Sequence, residues 1–453
     1  MTFYYSTNMN VPEVDLAGAL LQGQAGDKGL YMPKTVPDTA GKILARARDM
    51  SYPDLAALLL EPYARGVFSR DDLLEICHDA YDFDVPLEKV AEGRYIMRLD
   101  QGPTASFKDF AARFMGRALG KLVRERGKEL LILTATSGDT GSAVAHAFLG
   151  VPGIRVLVLF PRDEVSNRQR KQMTTLGDNV ATVSVVGKFD DCQALVKQAF
   201  SDPDLSSLNL SSANSINIGR LLPQSVYYVY AASRLIDTGA KEQIIFSVPS
   251  GNFGDLMGGM LASRGGLPVK KFVVATNSND EVPKFLATGA YQKIDPSKVC
   301  ISNAMNVGHP SNLARLVALF GGRMDEVGKL IKMPDMDALN AQLYATSVSD
   351  DETRKTIGNV FRDYGVMLEP HGAVGWAGLK NYMDSDSSMA GITAVSLETA
   401  HPAKFPQEVS AITGQDPKVP ASLIGLDEKI EHFDEMDVDY AAFKTLLISR
   451  YKK

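Results

Sequence analysis

The sequence predicts an α/β protein: two α/β domains with mainly parallel sheets, preceded by a small, mostly helical N-terminal domain. Three observations carry that prediction. From about residue 93 onward, short apolar runs alternate with amphipathic helical segments, the rhythm of right-handed βαβ units. Glycine- and hydroxyl-rich loops directly follow three of those runs, where parallel sheets bind ligands beyond the carboxyl ends of their strands. A chain of 453 residues is long enough to build two or three domains with well-buried cores.

The first 92 residues read as helices. Pro12 opens one through Leu16, Ala19 and Leu20, and Gly23 closes it. Ser69-Arg-Asp-Asp72 is a capping-box pattern ahead of Leu73, Leu74, Cys77 and Tyr81, which share a helical face. Tyr4 and Tyr5 are candidate interface residues. Strands are then expected at 130–136, 154–160, 180–186, 244–248, 272–276 and 392–397. Helices are expected from about Phe110, after Gly141, and at 165–176, 190–200 and 220–236. Residues 93–129 and 226–453 are assigned to a large α/β domain and 130–225 to a small one. The polar stretch 323–356 reads as a peripheral helical insertion in the former.

Composition narrows the function. A net charge of −6 without a basic run argues against a sequence-independent grip on nucleic acid. The three cysteines, Cys77, Cys192 and Cys300, have no paired spacing, so neither a disulfide framework nor a thiolate zinc site is expected. No His-x-x-x-His, Glu-x-x-His or calcium-loop pattern suggests another metal centre. No stretch approaches about 18 continuous apolar residues, and the N-terminus lacks the pattern of a signal or transit segment. A soluble cytoplasmic protein with a small-molecule substrate is expected, as a monomer or homodimer.

Four segments carry chemistry. Lys108 stands in Thr104-Ala-Ser-Phe-Lys-Asp-Phe110, among apolar neighbours that would lower its proton affinity and favour Schiff-base chemistry. Pro249-Ser-Gly-Asn-Phe-Gly-Asp255 offers backbone N–H groups to an anion at a strand-to-helix junction; it has neither dinucleotide nor Walker spacing. Thr399, in Glu398-Thr-Ala-His-Pro-Ala-Lys-Phe405, places a hydroxyl just past a strand. Ser137-Gly-Asp-Thr-Gly141 adds hydroxyls and N–H groups at another helix start, suited to a carboxylate. Read singly, each has an ordinary alternative: a surface lysine, a tight turn, a capped helix, a strand-end polar group. His401, with no nucleophile motif beside it, reads as a structural loop histidine.

Taken together and in this order, the segments resemble threonine synthase, in its longer bacterial and fungal branch. The resemblance also rests on residues 20–33, on Gly102–Phe110, on Thr134-Ala-Thr-Ser-Gly-Asp-Thr-Gly141 and on Asn214-Ser-Ile-Asn217. It implies the tryptophan-synthase-β-like fold, pyridoxal 5′-phosphate (PLP) as cofactor, and conversion of O-phospho-L-homoserine and water to L-threonine and phosphate. By resemblance, Lys108 forms the Schiff base and acts as catalytic acid and base. Gly251, Asn252, Phe253 and Gly254 contact the cofactor phosphate, and Thr399 the ring nitrogen. Ser137, Thr140 and Gly141 are candidates for the substrate carboxylate; Ser215, Asn217 and Arg220 for its phosphate. Related enzymes often carry Asn where this chain has Asp139, whose carboxylate would repel an ionised ring oxygen, so that contact stays unassigned. A PLP-dependent phospholyase, a Ser/Thr dehydratase and a non-catalytic ligand-binding relative are the alternatives.

Overall fold

The computed structural model describes residues 2–237, 242–389 and 391–452. Two sheets organise it. In the larger, six strands lie in the order Leu343–Ser347, Val269–Thr276, Ile244–Pro249, Thr393–Glu398, Arg94–Arg98 and Leu87–Ala91. All pairs are parallel except the last, a hairpin closed through Glu92-Gly93. In the smaller, five parallel strands lie in the order Asp434–Asp437, Val180–Val186, Ile154–Pro161, Leu130–Ala135 and Leu210–Ser212. The central strands are buried along their whole length, which is why they read as continuous apolar runs rather than alternating ones.

The N-terminal helices are Leu16–Gln22, Ala40–Ala47, Tyr52–Ala64 and Arg70–Ala80, beside a short antiparallel strand pair, Tyr4–Ser6 with Tyr31–Pro33. The first helix starts later than Pro12, because Asp15 caps it by accepting from the Gly18 N–H at 2.7 Å. The Ser69–Asp72 capping box forms as expected. Tyr4 is fully buried and donates its hydroxyl to the Tyr63 carbonyl, so it belongs to the chain's own core and not to an interface. Phe110 joins this region to the rest: its ring makes edge contacts with Tyr52, Phe83 and Tyr227 at 5.0–5.5 Å.

Further expectations change. Leu87–Ala91, within the stretch 1–92 expected to form the N-terminal domain, is a strand of the larger sheet, because it pairs with Arg94–Arg98 across the tight Glu92-Gly93 turn. The helix expected at 220–236 becomes two 3₁₀ turns, Ile218–Arg220 and Leu222–Gln224, before the α-helix Ser225–Leu235, since Pro223 has no N–H to donate. The stretch 323–356 is not a helical insertion. It contains a small strand pair and the helix Met336–Gln342, and its strand Leu343–Ser347 forms the edge of the larger sheet. An edge strand needs little apolar sequence, so its polar composition misled. The C-terminal residues, expected with the larger domain, pack on the smaller sheet: Asp434–Asp437 pairs with Val180–Val186, and the helix Tyr440–Tyr451 seals Phe443 and Leu447 against Leu195 and Val196. Among the described residues, no helix is long and apolar enough to cross a membrane.

Phe443 is completely buried in that seam. Phe443→Ala should cost about 3–5 kcal/mol, seen as a lower urea midpoint for unfolding. An unchanged midpoint would show that the C-terminal helix does not stabilise the sheet beneath it.

Candidate active site

Lys108 is the first residue of the helix Lys108–Arg126. The turn before it is tied down twice. Asp109 accepts from the Thr104 N–H at 2.8 Å and the Thr104 hydroxyl at 2.7 Å, while Ala105 takes a left-handed φ of +53° and donates to the Gly102 carbonyl. That fastening starts the helix two residues before the expected Phe110. Backbone pairing then fixes the turn to a distant segment: Phe107 N–H donates to the Thr399 carbonyl at 2.9 Å, and His401 N–H to the Ala105 carbonyl at 3.0 Å. Lys108 is thereby set beside Thr399, at the carboxyl end of the strand Thr393–Glu398. The Thr399 hydroxyl bonds to no other described residue. His401 accepts from the Ala403 N–H, and burial lowers its proton affinity to about 4, consistent with a structural role.

The Lys108 side chain is only 15 % exposed. Burial lowers its pKa from the ordinary lysine value; Asp139 opposes this, Lys404 and Arg220 add to it, and Glu369 opposes it. A larger fraction is therefore the neutral amine at a given pH, as a Schiff-base lysine requires.

The next contact went unread in the sequence. Asp139 begins the helix Asp139–Phe148, and its Oδ1 lies 2.6 Å from Nζ of Lys404 and 2.8 Å from Nε2 of Gln169. The Lys404 side chain has no exposed surface and also donates to the Thr104 carbonyl at 3.0 Å. Burial would raise the Asp139 carboxyl, but the charges of Lys404, Lys108 and His371 outweigh it and hold it well below the usual carboxylate range. An ammonium supplied from Thr399–Phe405 thus pairs with the carboxylate at this place. The signal was present in that motif, in the Lys404 beside Phe405.

At Gly138, which precedes this helix, φ is +133° and a Cβ would lie 2.5 Å from Gln169. The hydroxyls of Ser137 and Thr140, partly exposed here, bond to no other described residue. The Gly141 N–H does not join them, since it donates to the Thr136 hydroxyl at 2.8 Å.

The strand Ile244–Pro249 leads into Ser250-Gly-Asn-Phe-Gly254 and the helix Gly254–Arg264. Phe253 takes a left-handed φ of +63°, and a Cβ on Gly251 would lie 2.8 Å from the Met305 Cα, so backbone fills this loop where side chains cannot. The Asn252 side chain is already engaged: it donates to the Ser215 hydroxyl at 2.6 Å and accepts from the Ser311 N–H at 2.6 Å. Only its backbone N–H is left to serve an anion. Asp255 is buried beneath the loop, held by the Tyr227 and Tyr228 hydroxyls, and burial raises its pKa to about 6.

Two buried guanidinium groups flank residues 213–216. Arg220 donates to the Ala213 carbonyl at 2.6 Å, and its Nε has no partner. Arg315 donates to the carbonyls of Tyr31, Ser215 and Ile216 and to Asn312 Oδ1. Neither has a carboxylate within ion-pair distance among the described residues, and burial lowers their proton affinities to about 10 and about 9. Sequence reading missed Arg315 and Asn312, which lie in no recognisable motif. Asn217, by contrast, is fully occupied: its Nδ2 donates to the Leu20 and Ser212 carbonyls, and its Oδ1 accepts from the Gly219 N–H. It shapes the 3₁₀ turn that carries Arg220.

These residues fit PLP. The buried lysine can carry the aldehyde carbon, the Gly251–Gly254 backbone at a helix start suits a phosphate, and the unpaired guanidinium groups supply positive charge to a region expected to hold anions.

Comparison with known proteins agrees. Family models described as "Threonine synthase N terminus", "Pyridoxal-phosphate dependent enzyme" and "Threonine synthase, C-terminal" match residues 3–81, 85–395 and 372–447. The chain is 39 % identical to threonine synthase of Haemophilus influenzae over 97 % of its own length and 99 % of that protein's. It is 37 % identical to that of Escherichia coli, over 98 % and 99 %. Its fold superposes on the crystal structure of PLP-bound threonine synthase from Brucella melitensis with a TM-score of 0.91, at 34 % identity and full coverage of both chains.

Gly251→Ala should weaken PLP binding at least about tenfold, or about 1.4 kcal/mol, because the added methyl meets backbone. Equilibrium dialysis of the apoprotein against PLP measures it; undiminished affinity would remove the loop from the phosphate site.

Proposed function

This chain belongs to the threonine synthase family of PLP-dependent lyases, and from that premise we propose that it converts O-phospho-L-homoserine and water to L-threonine and phosphate. The observation that best supports this substrate is Arg220: a buried guanidinium with an unpartnered Nε, near enough to depress Lys108, and carried on the same loop as Ser215. An amino-acid substrate bearing a phosphate would supply the missing anion.

Bound PLP supplies an electron sink that acidifies first the Cα–H and then the Cβ–H bond of the substrate. Lys108 moves the protons. Its neutral amine would take the Cα proton and lend it to the bound cofactor, which leaves the amine free to take one Cβ proton as the Cγ–O bond breaks and to deliver that proton to Cγ; the lent proton is recovered for the return to Cα. Water then adds its hydroxyl to Cβ, its remaining proton leaves with the phosphate, and Cα is reprotonated. One amine serves each step because its buried setting keeps neutral and protonated forms accessible. Arg220 and the Ser215 hydroxyl receive the departing phosphate. Ser137 and Thr140, at the start of the helix Asp139–Phe148, hold the α-carboxylate where the helix dipole favours an anion. Thr399 presents a neutral hydroxyl to the ring nitrogen, a setting that restrains racemisation and transamination. Gly251, Asn252, Phe253 and Gly254 hold the cofactor phosphate through their backbone.

Phosphate release from O-phospho-L-homoserine, with amino-acid analysis of the products, tests the reading. Wild type should give threonine and phosphate in equal amounts, and Lys108→Ala should lose at least about 10²–10⁴ of the rate. Phosphate accompanied by an α-keto acid would instead establish a phospholyase. Arg220→Met should lower kcat/KM by about 10²–10³ and weaken inhibition by free phosphate; unchanged values would move the phosphate site elsewhere.

A further inference from the structure

Asp139 divides its two oxygens. Oδ1 is held by Lys404 and Gln169, while Oδ2 accepts no hydrogen bond among the described residues and lies 3.8 Å from Nζ of Lys108. A buried ion pair is costly to desolvate, and apolar residues of similar volume often replace one without loss of stability. Packing alone therefore does not call for a Lys404 side chain with no exposed surface. Its location is informative: it follows Thr399 by five residues, donates to the carbonyl of Thr104 in the turn that presents Lys108, and meets Asp139 on the opposite side.

We propose that Lys404 is a positioning residue that fixes Asp139 as an anion with one oxygen free, so that the Lys404–Asp139 pair sets how tightly the nitrogen of Lys108 holds its proton. This rests on the reading that Lys108 carries the cofactor and moves the protons. The reaction requires that nitrogen to take up and give back protons several times. Asp139 alone, 3.8 Å away in a buried site, would hold the protonated form too firmly. The positive charges of Lys404 and Arg220 alone would expel the proton. Together they act in opposite directions on one nitrogen, so that neither charge alone decides its protonation. The other charged or titratable groups facing this cluster are Glu369 and His371 at the start of the helix Pro370–Ser385, His401 three residues before Lys404, Asp255 beneath the 250–254 loop, and Asp109 behind the turn. None of them has an ion pair with Lys108 or Lys404 within 4 Å.

The test is the pH titration of the visible absorption of the PLP-loaded full-length protein, which reports protonation at the Lys108 nitrogen without turnover. The pair predicts opposite shifts. Lys404→Met removes a positive charge and should raise the midpoint by about 1 unit or more; Asp139→Asn removes the negative charge and should lower it by a similar amount. The double variant, neutral at both places, should return towards wild type. Shifts of the same sign, no shifts, or a double variant no nearer wild type than Asp139→Asn would overturn the proposal. Should Lys404→Met fail to fold, Asp139→Asn and the double variant still decide it, because only a charge effect places the double above the single. Failure of the underlying reading looks different: no visible band, or one that survives in Lys108→Ala, would displace Lys108 as the cofactor residue and the proposal with it.

Discussion

Two backbone hydrogen bonds between residues 105–107 and 399–401 are the contact from which the rest of the site follows. They join the turn ahead of Lys108 to the end of the strand Thr393–Glu398, and so bring together segments almost three hundred residues apart. Everything expected of the cofactor pocket depends on that junction. Lys108 and Thr399 stand on its two strands, Lys404 returns from it to Asp139, and the Thr104 carbonyl inside it receives donors from both Lys404 and Gln172. The left-handed Ala105 is the local strain this close approach demands, and the Asp109 carboxylate holds the turn in place.

Charge in this region is distributed unequally. Arg220 and Arg315 are buried among backbone carbonyls with no carboxylate at ion-pair distance among the described residues, an arrangement that an anion would stabilise. Around Lys108, in contrast, charges alternate in sign: Lys404, Asp139, Lys108, with Arg220 beyond. A region rich in unpaired positive charge suits phosphate groups, whereas an alternating one suits a nitrogen whose proton must come and go. The two lie side by side because the loop 213–220 borders both.

The N-terminal helices act on this chemistry from behind. Phe110, two residues after Lys108, is gripped by Tyr52 and Phe83 on one side and Tyr227 on the other. Tyr227 and its neighbour Tyr228 hold Asp255 under the loop 250–254. Asn217 reaches the Leu20 carbonyl, and Arg315 the Tyr31 carbonyl, so residues of the N-terminal region fix both the turn of Arg220 and the guanidinium of Arg315. Bracing of the cleft is thus built into the chain's own core.

Local physics made much of this legible in the sequence. Apolar runs of strand length mark the buried parallel strands, because a strand covered on both faces must be apolar throughout. The loops at 137–141, 249–255 and 399–405 announce themselves by glycine and hydroxyl composition at strand ends. The polar edge strands 343–347 and 434–437 stayed hidden, since pairing with a neighbour, rather than their own side chains, makes them strands. Site roles that depend on partners were hidden too. Nothing in Asn217 shows that all its donors and its acceptor are taken by backbone, and Gly141 does not reveal that Thr136 claims its N–H. Lys404 stands within the 399–405 motif without a role until Asp139 is folded against it. The sequence by itself determined which groups could hold a phosphate, carry a Schiff base or accept a proton, because those capacities belong to side chains and to local backbone. Tertiary structure alone decided which of them are free to do so, because burial, pairing and the sign of the nearest charge exist only once distant segments meet.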